Sequence, residues 1–147
     1  YDAAESPTKA AFTKLMRDKY NTIEALNTAW ETAADSWDSF EKSVEVTSRN
    51  EAVQEDFATM AQAFTDEYFR TVHDELKAVM PNHLYLGVRM AHWGLTPETL
   101  ASAKKYSDVI SYNFYKEGLR EGDWDFLAEL DMPKFLLFWL LRDLGAF

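Results

Sequence analysis

Polar side chains that could bind a ligand cluster in two apolar segments of the second half of the sequence. The first segment, 84–90, carries Arg89 near its end, and the second, 109–115, ends with Asn113 and Tyr115. Guanidinium, amide and phenol groups can hydrogen-bond hydroxyls or carboxylates. In barrels of alternating strands and helices, the functional site lies where the strands end. The spacing therefore predicts a ligand-facing site at the carboxyl ends of two neighbouring strands.

Two further candidates, His92 and Trp93, follow the first of these segments. An indole ring could stack on a sugar ring, and an imidazole could bond a hydroxyl. An aromatic residue that packs its loop and a solvent-exposed histidine explain the same pair equally well. The sequence has three scattered histidines and no cysteine, so we predict no zinc site.

The strand-end residues also have structural explanations. Arg89 could form an ion pair with an acidic loop residue, and Tyr115 could be a buried phenol that bonds the backbone. Strand alternation places Asn113 and Tyr115 on one face, opposite Tyr112. We favour the ligand-facing interpretation of these residues because polar strand-end residues of barrels face the site. Glu117, which precedes a glycine, is expected to be solvated rather than catalytic.

The elements that must position these residues alternate along the second half of the chain. Strands are predicted at 84–90, 109–115 and 135–141, with helices at about 97–106 and 123–130 between them. This order favours parallel strands joined by right-handed crossovers, and therefore an α/β fold. Apolar parallel strands need cover on both faces, so we expect further strands or a partner chain to cover this sheet.

The first half of the chain is predicted to be helical. Ser6-Pro7 and Thr22 each mark a helix start. Residues 31–50 are expected to be irregular and anchored by two aromatic residues, Trp37 and Phe40. A long helix at about 51–80 is expected to bury one apolar stripe and to solvate its acidic residues. The proposed stripe consists of Val53, Phe57, Met60, Phe64, Val72, Leu76 and Val79.

Composition narrows the classes of partner. The 147 residues include 25 acidic and 15 basic side chains, and the net charge of −10 disfavours binding to nucleic acid or to anionic membrane surfaces. The longest apolar run, Phe135 to Leu141, is too short to span a bilayer. We find no signal peptide in these residues, and the absence of cysteine leaves the compartment open.

Three segments carry a resemblance to a known family. The segments KLMRDKYNTIEALNTAW at 14–30, HLYLGVRMAHWG at 83–94 and KYSDVISYNFYKEGL at 105–119 resemble the β-agarases of glycoside hydrolase family 50. The first segment also resembles the family 42 β-galactosidases, a related (β/α)8 clan. The resemblance implies that residues 1–147 are one fragment of a catalytic TIM barrel. It would comprise a helical segment, 1–80, and a β-α-β-α-β segment, 81–147, with strands five to seven of the barrel.

The resemblance also implies an activity, the retaining hydrolysis of β-galactosidic linkages in agarose-type polysaccharide. Such enzymes use two glutamates, one after an Asn at the end of strand four and one at the end of strand seven, about 5–5.5 Å apart. Here the strand-seven segment, Phe135 to Leu141, contains no carboxylate, and Asn50-Glu51 lies at a helix start. The chain alone is therefore expected to be inactive.

The substrate, a galactan or agaro-oligosaccharide, is expected to be bound without a cofactor or metal. In this clan a tyrosine near the position of Tyr115 donates to the nucleophile carboxylate. The residues expected to bind substrate are Arg89, His92, Trp93, Asn113 and Tyr115. Members of the family are often secreted or periplasmic. An alternative interpretation is a non-catalytic α/β module that binds carbohydrate or a partner protein.

Overall fold

The computed structural model describes residues 6–91, 96–114, 125 and 131–138, and for 114 and 134–138 it describes the backbone. The chain forms two compact units, Tyr1–Phe64 and Thr65–Phe147, and the boundary falls within one long helix. Across the described part of the chain, no helix combines the length and apolarity that a membrane span requires.

The first unit is helical, as predicted. It contains α1 (Pro7–Tyr20), α2 (Ile23–Trp30), α3 (Trp37–Lys42) and the first part of α4 (Glu51–Val79). The predicted helix starts at Ser6 and Thr22 are confirmed, since Ser6 is the N-cap of α1 and Thr22 that of α2. The Thr22 hydroxyl accepts a hydrogen bond from the Ala25 amide at 3.2 Å, which satisfies one of the unpaired amides at the helix start.

Helix α3 lies in a region predicted to be irregular. Its N-cap is Ser36, whose hydroxyl accepts a bond from the Ser39 amide at 3.1 Å, while the Ser36 amide donates to the Ser39 hydroxyl at 3.2 Å. This reciprocal capping box stabilises a single short helix despite the polar sequence. Phe40 is buried as expected, whereas Trp37 is half-buried.

An aromatic core holds the first unit together. The fully buried Trp30 ring contacts Phe40 edge-on at 5.4 Å between centroids and stacks on Phe57 at 5.8 Å. The other buried apolar members of this core are Met16, Ile23, Leu26 and Val53. Removal of these side chains from water is the main stabilising contribution of such a core.

The second unit contains an α/β sheet. Its elements after α4 are β1 (Arg89–Ala91), α5 (Pro97–Tyr106), β2 (Ile110–Phe114) and β3 (Lys134–Phe138). The strands lie in the order β1-β2-β3, and both pairings are parallel, as predicted. Helix α5 matches its predicted bounds, with Thr96 as the N-cap and Pro97 in the first turn. In the predicted 123–130 helix, Asp125 alone is described, and it is helical.

The first strand is shorter than predicted, beginning at Arg89 rather than at residue 84. Gly87 has a φ of +61°, a left-handed conformation that breaks the extended run. Tyr85, before this break, uses its carbonyl to accept a bond from the Asp108 amide at 2.9 Å. The 84–88 segment is therefore held by a hydrogen bond to Asp108, just before β2, rather than by the strand-to-strand hydrogen bonds of the sheet.

The predicted apolar stripe of α4 is wrong in part. Val53 is buried, but Phe57 and Phe64 are 49% and 56% exposed. Phe69, outside the predicted stripe, is buried in the core beneath the sheet with Tyr85, Met90, Ala103, Ile110 and Tyr112. The face of α4 that packs is thus set by the neighbouring elements, which its own periodicity does not reveal.

Candidate functional site

The strand register groups the predicted site residues of β1 and β2. Arg89 lies opposite Ser111, and Ala91 lies opposite Asn113. Because side chains alternate along a strand, Ser111 and Asn113 share a face, and Met90 belongs with the other face. That other face packs in the core with α4 and α5. Arg89, Ser111 and Asn113 therefore occupy the sheet face turned away from this helix layer.

Arg89 and Asn113 differ in position and burial. Asn113 is only 4% exposed, one residue before the end of β2, as predicted. Arg89 is exposed and is the first residue of the three-residue β1, two residues before the end of that strand. The register puts it two residues behind Asn113, about 7 Å along the strand direction. A ligand that bonds both groups would extend along the strands.

The other predicted site residues lie outside the described residues. These are His92, Trp93 and Tyr115, together with the loop carboxylate of Glu117. The predicted pairing of Asn113 with Tyr115 on one face of the strand stays a prediction. The described groups that could bond a hydroxylated ligand here are a guanidinium, a serine hydroxyl and a carboxamide.

A buried carboxylate in the first unit was not predicted. Asp56 is completely buried, whereas sequence reasoning placed it among the solvated acidic residues of α4. Its two oxygens accept hydrogen bonds from Lys19 Nζ at 2.6 Å, Tyr20 OH at 2.7 Å and Trp30 Nε1 at 2.7 Å. This cluster joins the ends of α1 and α2 to α4. Because the Asp56 oxygens already accept three hydrogen bonds from side chains of the same unit, the cluster has a structural role.

The electrostatics of the Asp56 cluster follow from these bonds. Burial, with a smaller contribution from the bond to Asp56, raises the pKa of the Tyr20 phenol. The hydrogen bond to Asp56 raises the pKa of the Lys19 ammonium. Both donors therefore stay protonated near neutral pH, as the carboxylate requires. Trp30 was the one signal in the sequence that could have pointed to the burial of Asp56, because a buried indole N–H needs an acceptor.

A second ion pair supports the sheet from the end opposite to Asn113. Asp108, two residues before β2, accepts bonds at Oδ2 from Lys77 Nζ and from the Tyr85 amide, both at 2.8 Å. The bond from Lys77, followed by that from the Tyr85 amide, holds the pKa of Asp108 below its usual value. The carboxylate thus ties α4 and the 84–88 segment to the start of β2.

The first unit has open cavities that are lined by none of the predicted site residues. One open cavity, about 520 Å³, is bordered by acidic and hydroxyl side chains that include Glu31, Asp35 and Glu45. A smaller one, about 240 Å³, lies against Phe12, Trp30, Phe40 and Phe57. Among the residues that the structure describes, no group of three His, Asp or Glu side chains could hold a metal ion.

Known proteins resemble this chain in sequence and structure. The model of glycoside hydrolase family 42, described as beta-galactosidase, matches residues 3–136. Beta-agarase B of Vibrio sp. (strain JT0107) is 49% identical over 138 residues, which are 92% of this chain and 14% of that protein. An agarase of known structure is 52% identical with a TM-score of 0.80, over 87% of this chain and 18% of the other. An exo-beta-agarase is 45% identical with a TM-score of 0.82, over 90% and 18%.

These matches confirm the resemblance found in the sequence. The chain spans 14% to 18% of the length of these relatives. The family model covers every element from α1 to β2. These include β1, which carries Arg89, and β2, which carries Asn113. The chain therefore belongs to the glycoside hydrolase family 42 β-galactosidase family and is a homologue of the β-agarases.

Proposed function

We propose that this chain is a portion of a (β/α)8 glycosidase barrel that hydrolyses β-galactosidic linkages in agarose-type polysaccharide with retention. The observation that carries the proposal is its 49% identity to Beta-agarase B over 92% of its length. The parallel order β1-β2-β3 supports the barrel, and the three strands would be its fifth, sixth and seventh.

The contribution of these residues would be to position substrate. The exposed guanidinium of Arg89 and the buried carboxamide of Asn113 lie on the sheet face opposite the helix layer. That face points inward in a barrel, and the carboxyl ends of its strands surround the active site. A neutral sugar chain offers hydroxyls to such groups. We propose that His92, Trp93 and Tyr115 complete the same substrate-binding site.

The two chemical steps of retention need two carboxyl groups, one as nucleophile and one as acid and base. The segment Phe135 to Leu141, in the place of the seventh strand, contains no carboxylate. We propose that the 147-residue chain binds or positions sugar but does not cleave it. The same observation favours the alternative, a non-catalytic module that binds carbohydrate or a partner.

A chimera tests the positioning role in a complete enzyme. In what we call the 9–133 chimera, residues 9–133 of this chain replace the aligned residues of Beta-agarase B. We expect the chimera to cleave agarose and the 147-residue chain to release no oligosaccharide. Release by the purified chain, free of other hydrolases, would contradict its proposed inactivity.

Two substitutions in the 9–133 chimera test the residues themselves. Arg89→Ala and Trp93→Ala are expected to lower kcat/KM at least about tenfold, the size of one lost hydrogen bond to a charged group or one lost stacking contact. Lys104→Ala, at an exposed position of α5, is the matched control and should leave kcat/KM unchanged. Unchanged kinetics in both site variants would remove them from the substrate site and favour the binding-module alternative for this chain.

A further inference from the structure

Phe57 of α4 is an exposed aromatic residue that borders two cavities of the first unit. Its side chain is 49% exposed. It lines the cavity of about 240 Å³ described above and, together with Val46 and Val53, a further open cavity of about 550 Å³. Because the same ring borders both, the two cavities lie side by side as the two ends of one groove. The two cavities and the ring between them are called the Phe57 groove below.

The Phe57 ring is held in place by the core behind it. It stacks on Trp30 with 24° between the ring planes, and its centroid lies 5.5 Å from that of Phe12. Trp30 is itself fixed, because it is fully buried and its Nε1 donates to Asp56 at 2.7 Å. An exposed ring that is already held loses little side-chain freedom when a ligand binds. Phe57 therefore offers a preorganised apolar surface to a ring-shaped ligand.

One wall of the groove is the segment that connects α3 to α4. Val44 borders the smaller cavity and Val46 borders the larger one. Both valines are half-buried, whereas Glu45 and Thr47 are exposed. This alternation with a period of two places Val44 and Val46 on the same side of the backbone. The groove therefore follows the segment past both valines, as an elongated ligand requires.

Polar side chains stand at both ends of the groove. Lys9 and Glu41 border the smaller cavity, and Arg49 and Gln54 border the larger one. The Lys9 ammonium donates to the Lys42 carbonyl at 2.8 Å, and an ammonium group has further hydrogens to donate. The Gln54 amide donates to the Arg49 carbonyl at 2.8 Å, and its carboxamide oxygen is an acceptor. Each end of the groove thus presents both donors and acceptors to a ligand.

This combination of groups is typical of a site for a neutral sugar. An aromatic ring packs against the apolar face of a pyranose, while the sugar hydroxyls need both donors and acceptors. The positive charges of Lys9 and Arg49 are partly offset by the Glu41 carboxylate, so the groove does not select a highly charged ligand. An apolar segment of another protein would cover these charged groups without bonding them, which costs free energy.

We infer that the Phe57 groove binds a short stretch of galactan chain, with one sugar ring stacked on Phe57 and its neighbours hydrogen-bonded at the two polar ends. The class of sugar rests on the proposed function, since galactan is the polymer on which the proposed barrel acts. The groove is a non-catalytic sugar site that belongs entirely to the first unit, whereas Arg89 and Asn113 belong to the second. Such a site holds polymer on the protein independently of the residues that position it for cleavage.

An NMR titration of the 147-residue chain with a hexasaccharide of agarose tests the inference. The indole N–H signal of Trp30, the ring beneath Phe57, should shift on binding. Phe57→Leu should raise Kd about tenfold, because it keeps an apolar side chain against Trp30 but removes the stacking ring. Phe57→Tyr keeps the ring and should change Kd by less than about twofold.

A second pair of variants leaves the ring untouched. Gln54→Ala removes a polar group at one end of the groove and should raise Kd at least about threefold. Glu55→Ala, at the neighbouring exposed position, is the matched control and should leave Kd unchanged. Both residues are exposed on α4, so this pair decides the question even if Phe57→Leu fails to fold. Unchanged affinity in both Phe57→Leu and Gln54→Ala would overturn the inference, as would a Trp30 signal that does not respond to the sugar.

Arg89→Ala separates this site from the one proposed in the second unit. The Trp30 signal should report the same Kd in Arg89→Ala as in the original chain. Binding that disappears in Arg89→Ala but persists in Phe57→Leu would overturn the inference and support the proposed function. The reverse pattern would support the inference and count against the proposed role of Arg89.

A hexasaccharide of cellulose tests the class of sugar. It is equally neutral but arranges its hydroxyls differently at the polar ends, and it should bind at least about threefold more weakly, the size of one lost hydrogen bond. Equal affinity for the two hexasaccharides would overturn the assignment of the groove to galactan.

Discussion

The position of Gly87 in the fold leaves no room for a side chain. Its φ is +61°, and an ideal Cβ there would lie 2.6 Å from Ser107 Oγ and 3.4 Å from Ser107 Cβ. A residue other than glycine would meet both a backbone penalty and a steric clash. The Ser107 hydroxyl is buried and makes no hydrogen bond within the described part of the chain.

This geometry predicts a double-mutant coupling. Gly87→Ala should lower the free energy of unfolding by about 2–3 kcal/mol, about 1 of it from the left-handed backbone. Ser107→Ala should be nearly neutral alone and should recover about 1 kcal/mol in the Gly87→Ala background, because the contact at 3.4 Å is ordinary. Urea denaturation of the four proteins measures the coupling. Additive effects would show that backbone strain alone sets the cost.

Asp56 is the second residue whose substitution should have a large effect. Asp56→Ala leaves the Trp30 indole N–H and the Tyr20 hydroxyl without their buried acceptor, and a cost of about 3 kcal/mol is expected. Glu55→Ala, an exposed neighbour on α4, is the control and should change the free energy of unfolding by less than about 0.5 kcal/mol. Similar urea midpoints for the two variants would contradict a structural role for Asp56.

Local chemistry decided which elements could be predicted from the sequence. Ser6-Pro7, Thr22 and Thr96-Pro97 specify helix starts through caps and the fixed φ of proline, and α1, α2 and α5 begin there. The burial of Asp56 and the exposure of Phe57 depend instead on which helices pack against α4. A periodic pattern on one helix contains no such information. The start of β1 was missed because the sequence does not reveal that Gly87 adopts a φ of +61°.

At the scale of elements, the Asp108 carboxylate joins α4 to the start of β2. Its pKa is lower in the folded chain than its ordinary value, chiefly because of Lys77. A lowered folded pKa means that its stabilising contribution is present above the unfolded pKa, about 4, and is lost as the pH falls through the folded pKa. The ion pair should therefore stabilise the chain at neutral pH but not in acid.

Lys77→Met tests this linkage. The substitution should lower the free energy of unfolding by about 1 kcal/mol at pH 7, a modest value because both side chains are partly exposed. The difference from the original chain should shrink as the pH falls through the lowered pKa of Asp108 and vanish below it, where the carboxyl group is protonated in both proteins. Lys104→Met, at an exposed position of α5, provides the control. A difference that persists unchanged in acid would mean that packing of the lysine stem, rather than charge, is responsible.

At the scale of the whole molecule, the chain is similar in sequence to agarases over 92% of its length, and its segment Phe135 to Leu141 contains no carboxylate. The family model matches residues 3–136, and the charge-free segment Phe135 to Leu141 begins at the end of that match. The parallel order of β1, β2 and β3 could be predicted because the signals of strands and helix caps are local, whereas catalytic competence depends on carboxylates from separate strands.

The boundary of the chimera should therefore decide its activity. We expect the 9–133 chimera to cleave agarose and a chimera extended through Leu141 to lose at least about 10⁴-fold in kcat, since a retaining glycosidase without its nucleophile cannot form the glycosyl-enzyme. Binding of agaro-oligosaccharide, measured by calorimetry, should change much less, because Arg89 and Asn113 are present in both proteins. Full activity in the extended chimera would place the nucleophile outside this segment, and loss of binding together with activity would instead indicate a misfolded barrel.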